Sequence, residues 1–416
     1  MKITDVRSLH LEGPRHHMPG GGEGIARKLI IRVDTDEGTY GLGEASYFVA
    51  SPMGVREAVE YIRMMLIGKD PMAVRPALSE IMYGTLPPHP LARRESPPEV
   101  PPGLFPMYPC SPTVIQPGPV TWGMSGVEMA LCDLAGKLLG TPVYNLLGGK
   151  FRDRVRVYLD RSSPIDVDNL DSWKRMGMQV VEDGFTHMKF DIDYAAPDHT
   201  DDVWNRSISA GQMNRIVERI GAVREAVGWD IQIAVDCHMQ YNVVDAVRLA
   251  NELAPLKPFW LEDPTPLYNP GATAQVREKS PIPICLGEQF IAEELRQFID
   301  AGACDIIHPD ILYDGGVFET RRIADYAELH YIPMAMHGGG GALATIAAAH
   351  VAAATRNFLA LEYHHIETPW IGAFVSRDGA PLFSDGHIVL TDAPGFGVEL
   401  DERVCAENLG PGEALF

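Results

Sequence analysis

Between residues 154 and 364, strand and helix signals alternate regularly, and few architectures are compatible with that alternation. Short apolar runs that end in polar residues are each followed by an amphipathic stretch. Parallel strands joined by right-handed crossovers give this pattern, and eight strands with seven helices favour a closed α/β barrel over an open sheet. No GxGxxG motif follows an early strand, which argues against a dinucleotide-binding fold. The predicted strands span residues 154–160, 187–193, 231–237, 258–263, 282–288, 304–310, 332–337 and 359–364.

The segments that flank this repeat have a different, β-rich character. We predict strands at residues 2–11 and 27–34, a hairpin at 36–44 and a helix near 54–68. Residues 86–120 contain so many prolines that we expect a long loop, either packed in place or serving as a lid. The turn-rich end of the chain is expected to pack on the amino-terminal region.

The charge balance excludes several classes of partner. The chain carries 35 Lys and Arg against 56 Asp and Glu, a formal net charge of −21. This charge repels phosphate backbones and anionic lipids, so we expect a small-molecule partner rather than nucleic acid or a membrane. The polar amino terminus does not resemble a secretory signal, and no apolar run is long enough for a membrane helix. Six scattered cysteines predict reduced packing residues, and we expect a cytoplasmic protein.

Three carboxylates lie at the ends of three consecutive predicted strands. Asp236, Glu262 and Glu288 follow one another at intervals of 26 residues, one strand–helix unit each. Side chains alternate faces along a strand, and these three lie on the face expected to line the barrel and its mouth. A single carboxylate more often caps a helix or pairs with Lys or Arg, but three converging charges repel one another unless a cation lies among them. Oxygen ligands with open positions favour Mg²⁺, with Mn²⁺ as the usual substitute.

Polar side chains also end the neighbouring strands, at the carboxyl end where barrel enzymes build their sites. Asp310 and His337 are 27 residues apart, and an Asp beside a His orients the ring and raises its basicity, as a general base requires. His337 alone fits a buried core histidine equally well, but the four glycines after it allow close approach to a ligand. The same alternation aligns Lys189 with Asp191, Asp236 with His238, Leu286 with Glu288, and Ala360 with Glu362.

Together these elements resemble the enolase superfamily, in particular its mandelate racemase branch. The resemblance rests on the helix sequence MSGVEMALCDLAGK at residues 124–137, on VDCH, LEDP and LGEQF around the three carboxylates, and on Asp310 and His337. It implies a modified (β/α)7β TIM-type barrel at residues 126–365 and an α+β capping domain built from residues 1–125 and 366–416. It also implies an Mg²⁺ ion that stabilises the enediolate formed by removing a proton α to a carboxylate.

Within that branch, racemization needs a second base, commonly the second lysine of a Lys-x-Lys pair. This chain has Asp191 at that position, after Lys189, which disfavours a racemase. His238, two residues after Asp236, is similar to the histidine of galactonate and gluconate dehydratases that protonates a departing 3-hydroxyl. The resemblance therefore implies an Mg²⁺-dependent acid-sugar dehydratase, a hydro-lyase, that forms a 2-keto-3-deoxy acid.

The resemblance also implies roles for the other candidates. His337, oriented by Asp310, would remove the C2 proton, and Glu362 and Lys189 would stabilise the enediolate. His17 lies where the family places a specificity lid, although a solvated turn explains it equally well. The candidate substrate-binding residues are Asp191 and His17. The insertion at residues 194–210 is interpreted as a lid or an oligomer contact, and a homo-oligomer is expected.

Two alternatives stay open. A sugar-lactone cycloisomerase, or an epimerase or racemase of a hydroxy acid, would use the same metal and His337 but would need no acid at His238. A non-catalytic barrel that binds a metal or a sugar acid would keep these side chains only for packing or binding, and His238 would then be a structural histidine.

Overall fold

The structure is a computed structural model. The described residues are 1–17, 23–45, 52–76, 78, 118–162, 164, 166–193, 200–364, 369–377 and 381–416. Most of the predicted proline-rich loop and residues 194–199 of the predicted insertion lie outside them.

An antiparallel sheet opens the chain. It consists of β1 (Ile3–His17), β2 (Glu23–Thr35) and β3 (Tyr40–Ala45), in that order. Helix α1 (Pro52–Leu66) follows, so the strands and the helix predicted for this region are confirmed, with β1 running past its predicted end.

Helix α2 (Pro119–Leu139) packs on β3 at very short range. A Cβ added to Gly43 would lie 2.1 Å from the carbonyl oxygen of Gly126, so only glycine fits this crossing. The helix begins inside the segment predicted as a loop, because proline is well suited to the first helical turn. The boundary predicted between residues 125 and 126 falls inside this unbroken helix.

A closed barrel follows, as predicted. Strands β4 to β11 pair in parallel with their sequence neighbours, and β11 pairs with β4 to close the ring. The strands β4 to β11 span Arg154–Asp160, His187–Asp191, Gln232–Asp236, Leu261–Glu262, Ile284–Leu286, Ile306–Ile307, Met334–Met336 and Phe358–Tyr363.

Helices cover the outside of this barrel. Helix α3 (Val143–Leu146) leads into β4, and one helix follows each strand from β4 to β10. These helices, α4 to α10, span Leu170–Glu182, Ala210–Val227, Val243–Leu253, Pro270–Lys279, Ala292–Asp300, Val317–Leu329 and Ala342–Ala354. A 3₁₀ turn at Ala254–Leu256 follows α6. The seven-helix, eight-strand order is that of a (β/α)7β barrel.

A layer of apolar side chains fills the barrel interior. It draws one residue from each of six strands, together with the residue that directly precedes β7: Tyr158, Ala234, Cys285, Ile306, Ala335 and Ala360, with Trp260. On β8 the inward residue is Cys285, and Leu286 packs in the outer core, so the predicted alignment of Leu286 with Glu288 is wrong. Gly287 has a φ of 128°, which breaks the strand alternation and still turns Glu288 toward the mouth.

The C-terminal segment returns to both earlier units. Strand β14 pairs antiparallel with β4 of the barrel, and Leu409 forms an isolated bridge with Leu11 of the first sheet. The elements of this segment are α11 (Trp370–Ala373), β12 (Val375–Ser376), β13 (Phe383–Ser384), β14 (His387–Val389), β15 (Glu399–Leu400) and α12 (Glu402–Glu407).

The cysteines in the described ranges fit the packing prediction. All five are buried and free: Cys132, Cys237, Cys285, Cys304 and Cys405. Among the helices described, none combines the length and apolar character that crossing a bilayer requires.

Candidate active site

Three carboxylates meet at the carboxyl ends of β6, β7 and β8. One oxygen from each of Asp236, Glu262 and Glu288 lies within 4.8 Å of the others. Asp236 and Glu262 are fully buried, and Glu288 is 6% exposed. The regular spacing in sequence thus becomes a compact set of oxygen donors, the chemistry that hard divalent cations prefer.

A buried lysine is the main positive charge against these acids. The Lys189 ammonium lies 2.9 Å from Asp236 Oδ2, 2.8 Å from Glu262 Oε1 and 2.7 Å from Glu362 Oε1. Burial disfavours the charged form, but these carboxylates hold the pKa of Lys189 well above its ordinary value. One ammonium cannot balance four carboxylates when Glu288 is included, so Lys189 alone leaves an excess of negative charge at the mouth.

Two further acids near the mouth also lack compensating partners. Both carboxylate oxygens of Asp263 are buried and have no hydrogen-bond partner among the residues described. Asp191, 1% exposed, has one such oxygen, and burial followed by the charge of Asp160 raises its pKa well above the ordinary range. A buried carboxylate without a partner is costly unless it is protonated or faces a cation. The donor set therefore fits a divalent cation.

His337 and Asp310 form a hydrogen-bonded pair beside this trio. The Nδ1 of His337 bonds Asp310 Oδ2, while its Nε2 lies 3.4 Å from Glu288 Oε2 and 3.5 Å from Glu362 Oε2. Burial disfavours the imidazolium, but Glu362, Glu288 and Asp310 hold the pKa of His337 well above its ordinary value. Neutralising Glu288 with a bound cation would remove one of these influences and bring the ring nearer to a working base.

A second imidazole lies on the other side of the trio. The Nδ1 of His238 is 2.9 Å from Asp193 Oδ1, and its Nε2 is 3.7 Å from Asp236 Oδ2. Its backbone N–H also donates to Asp236 Oδ1. The backbone at His238 has a φ of 41°, which non-glycine residues rarely adopt. Burial opposes protonation, yet Asp236 and Asp193 raise the pKa of His238 strongly, which favours a proton-carrying side chain.

The two oxygens of Glu362 have different partners, an ion pair at Oε1 and a hydrogen bond at Oε2. Lys189 contacts Oε1, and the Gly338 N–H donates to Oε2 at 3.0 Å. Burial favours the neutral acid, but Lys189 and His337 hold the pKa of Glu362 well below its ordinary value. In this arrangement Glu362 is a carboxylate, so the nearby cation that can face an enediolate is Lys189.

Other mouth residues escaped the sequence reasoning. Asp160 is the last residue of β4, and His364 directly follows β11. The His364 Nε2 lies 3.9 Å from Asp160 Oδ2. Strand alternation could have found both, since Asp160 follows Tyr158 by two residues and His364 follows Glu362 by two. The same signal was available for Asp193, which follows Asp191 by two residues within the strand predicted at 187–193.

His308 is also part of this region, below the mouth. It is fully buried, its Nδ1 contacts the Ala335 carbonyl oxygen at 3.0 Å, and its Nε2 lies 3.1 Å from Glu262 Oε1. Burial and the charge of Lys189 lower the pKa of His308 to about 4, so its ring stays neutral beside Glu262.

The two predicted substrate-binding residues are differently placed. Asp191 lies at the mouth, with its neighbour Asp236 opposite it across the β5–β6 pair. His17 ends β1, opposite Glu23 in the first hairpin. The structure therefore brings the three predicted metal ligands, the two predicted imidazoles and Lys189 into one region at the carboxyl end of the barrel.

Comparison with known proteins supports the resemblance to the enolase superfamily. Residues 3–148 match the mandelate racemase/muconate lactonizing enzyme N-terminal domain, and residues 173–404 match the enolase C-terminal domain-like family. A D-xylonate dehydratase of Haloferax volcanii is 40% identical over 301 residues, 72% of each chain. A D-mannonate dehydratase of Caulobacter vibrioides is 30% identical over 310 residues, which cover 70% of this chain and 75% of the relative.

A solved structure gives the same result for the fold. The mandelate racemase/muconate lactonizing enzyme-like protein of Rubrobacter xylanophilus superposes with a TM-score of 0.84 at 33% sequence identity, over 100% of this chain and 99% of its own. Both parts of the chain match the corresponding family, and the catalytic end of the barrel carries the motifs that the sequence predicts. The chain is an enzyme of the mandelate racemase/muconate lactonizing branch of the enolase superfamily.

Proposed function

We propose that this enzyme is an Mg²⁺-dependent dehydratase of an acid sugar, which it converts to a 2-keto-3-deoxy sugar acid. The observation that carries the proposal is the pair of imidazoles that flank one carboxylate trio. Each ring is held at Nδ1 by a carboxylate, and each presents Nε2 to a different member of the trio. One ring can therefore take a proton while the other delivers one.

Asp236, Glu262 and Glu288 would hold the Mg²⁺ ion. Their donors are all carboxylate oxygens, they lie within 4.8 Å of one another, and they are under-neutralised by Lys189. The bound ion would supply Lewis-acid stabilisation of negative charge on the substrate carboxylate. Removing a proton α to a carboxylate is otherwise very unfavourable near neutral pH, so this stabilisation is required.

The chain's own residues then perform the proton transfers. His337 Nε2 takes the C2 proton, and the C–H electron pair moves into the enediolate, which Lys189, held by Glu362, stabilises. The C3–O bond breaks as the enediolate collapses, and the leaving hydroxyl takes a proton from His238 Nε2 and departs as water. The remaining enol ketonises to the 2-keto-3-deoxy acid.

The relatives guide the choice of substrate. Because the relatives described above include dehydratases of D-xylonate and D-mannonate, we propose a monocarboxylic acid sugar, with D-xylonate the first to be assayed. We further propose that Asp191 and His17 bind its hydroxyl groups. Asp191 is buried at the mouth and has one carboxylate oxygen without a hydrogen-bond partner among the described residues, so it can accept from a sugar hydroxyl.

The test is a panel of mono- and diacid sugars assayed with Mg²⁺ for 2-keto-3-deoxy product and for C2 proton exchange in D₂O. His238→Asn should lose dehydration and keep exchange, because His337 is unchanged. The matched control is His187→Asn, a histidine at the start of β5 and therefore at the opposite end of the barrel. Exchange without dehydration in the unmodified enzyme would favour a cycloisomerase or epimerase, and binding without exchange would indicate a non-catalytic barrel.

A further inference from the structure

The glycine segment after His337 is held by the site itself. The Gly338 N–H donates to Glu362 Oε2 at 3.0 Å, and the Gly339 N–H donates to Asp310 Oδ2 at 3.4 Å. That Asp310 oxygen is the one that His337 Nδ1 bonds. Any shift of residues 338–341 therefore moves the backbone next to both partners of the His337 ring.

Two side chains of the capping domain hold the same segment from the other side. Lys28, on β2, donates from Nζ to the Gly339 carbonyl oxygen at 3.2 Å. Glu44, on β3, accepts from the Gly341 N–H at 2.5 Å and from the Ala344 N–H at 3.2 Å. The Lys28 ammonium also lies 3.7 Å from Glu44 Oε1, so the pair forms one unit.

The glycine segment has no side chains of its own with which to anchor itself. A Cβ on Gly338 would lie 2.4 Å from the Glu362 carbonyl oxygen, and a Cβ on Gly341 would lie 2.8 Å from the Phe374 ring. The close packing excludes larger residues, so backbone hydrogen bonds and van der Waals contacts must fix its position. Lys28 and Glu44 supply two of these hydrogen bonds, at Gly339 and Gly341, and Glu44 accepts a third from Ala344 just after the segment.

The pair is buried enough for these contacts to matter. The Glu44 side chain is 1% exposed and the Lys28 side chain is 11% exposed. Burial disfavours the charged form of both, raising the pKa of Glu44 and lowering the pKa of Lys28. Removing one partner would leave the other as an uncompensated buried charge, and the segment would be expected to shift toward a new set of partners.

We propose that Lys28 and Glu44 are positioning residues, which act through the glycine segment to hold the His337 ring against Asp310. Their catalytic importance rests on the proposed function of His337, but their effect on the ring geometry does not. The capping domain thereby helps to assemble the base on the barrel, in addition to covering the site.

The first test measures the imidazole directly in the free enzyme. The proton shared by His337 Nδ1 and Asp310 should give a low-field ¹H NMR signal, assigned by its loss in His337→Asn. We expect this signal to shift or broaden in Lys28→Met and in Glu44→Gln, and to return in Lys28→Arg. The matched control is Lys137→Met, since Lys137 is 15% exposed and pairs with Asp133 and Glu399, away from residues 338–341.

The second test is kinetic. Misplacing a base by about 1 Å costs on the order of 100-fold in rate, so Lys28→Met should lower the rate of C2 exchange by about 100-fold at unchanged KM. Circular dichroism identifies variants that do not fold, and if Lys28→Met fails, Glu44→Gln carries the test. An unchanged proton signal and exchange rate in a folded variant would overturn the proposal. A changed signal in an enzyme that exchanges no substrate proton would instead contradict the proposed function alone.

Discussion

Buried carboxylates occur in two regions of this molecule, and they are satisfied in different ways. Where the capping domain meets the barrel and the C-terminal segment, three buried acids accept two backbone N–H groups each: Gly341 and Ala344 on Glu44, Val317 and Phe318 on Glu128, and Leu42 and Phe396 on Asp133. At the barrel mouth, Asp236 and Glu262 share one lysine, and Asp263 has no hydrogen-bond partner among the described residues. Backbone partners indicate an architectural role, whereas excess charge indicates a site that needs a cation.

The histidines of the two regions differ in the same way. His350, at the contact between α10 and α3, meets the Tyr144 N–H and the Phe396 carbonyl oxygen, and burial lowers its pKa to about 3. At the mouth, carboxylates outweigh burial and raise the pKa values of His337 and His238. A carboxylate-bound imidazole can exchange protons with a substrate, whereas a backbone-bound imidazole of low pKa remains neutral.

The largest effect is predicted for loss of the His337 base at the barrel mouth. His337→Asn removes the base but leaves the carboxylate trio in place, so both C2 exchange and dehydration should fall by roughly 10³- to 10⁴-fold, the upper range for a general base. Exchange in D₂O and product formation are the measurements. Exchange that persists at the unmodified rate would show that another group takes the proton.

A smaller effect is predicted for a side chain beneath the trio. The Trp260 Nε1–H donates to Glu262 Oε2 at 2.7 Å, and the loss of such a support typically costs 10- to 100-fold in metal affinity. Trp260→Phe should weaken Mg²⁺ binding by about that factor, as measured by calorimetry. The equally buried Trp173, whose Nε1–H donates to the Val167 carbonyl oxygen, is the control, and equal losses in both variants would contradict the role of Trp260.

A variant of Asp193 tests whether the His238 and His337 imidazoles act in separate steps. Its Oδ1 orients His238 at 2.9 Å, while His337 is oriented by Asp310. Asp193→Asn should lower dehydration by roughly 10-fold, because the His238 ring is less well oriented and less often protonated, and should leave C2 exchange unchanged. A parallel loss of both activities would mean that the two rings do not act separately.

The smallest predicted effect concerns stability at the architectural histidine. Folding lowers the pKa of His350 from its ordinary 6.5 to about 3, so the unfolded chain binds the proton first as the pH falls. Its contribution to stability is therefore complete above about pH 6.5 and is lost progressively toward pH 3, by about 1 kcal/mol at pH 6. His350→Gln should flatten this part of the stability curve in urea unfolding, and an unchanged slope would refute the assignment.

The alternation of apolar runs and amphipathic stretches predicted the barrel, because apolar residues in the sequence become the buried residues of the fold. All eight predicted strands are present, although several are shorter, since their last residues leave the ladder near the mouth. Asp263, for example, follows β7 with a φ of 37°. The alignment of Leu286 failed because a glycine with positive φ resets the alternation, which residue identity alone does not show.

The sequence predicted those residues of the candidate site that lie at the ends of barrel strands. Asp236, Glu262, Glu288 and His337 come together because a 26- or 27-residue unit advances the chain by one strand. Alternation also groups Asp193 with Lys189 and Asp191, but it does not show that Asp193 meets His238, or that Lys28 and Glu44 join a separate domain to the barrel. Such contacts depend on tertiary packing, for which no local pattern exists.

The most direct test of the account is a crystal structure grown with Mn²⁺ and measured at its absorption edge. We predict one anomalous peak about 2.1 to 2.2 Å from an oxygen of each of Asp236, Glu262 and Glu288, with the His337 and His238 rings on either side. A peak elsewhere, or no peak with these three carboxylates separated and bonded only to Lys189 and water, would contradict it.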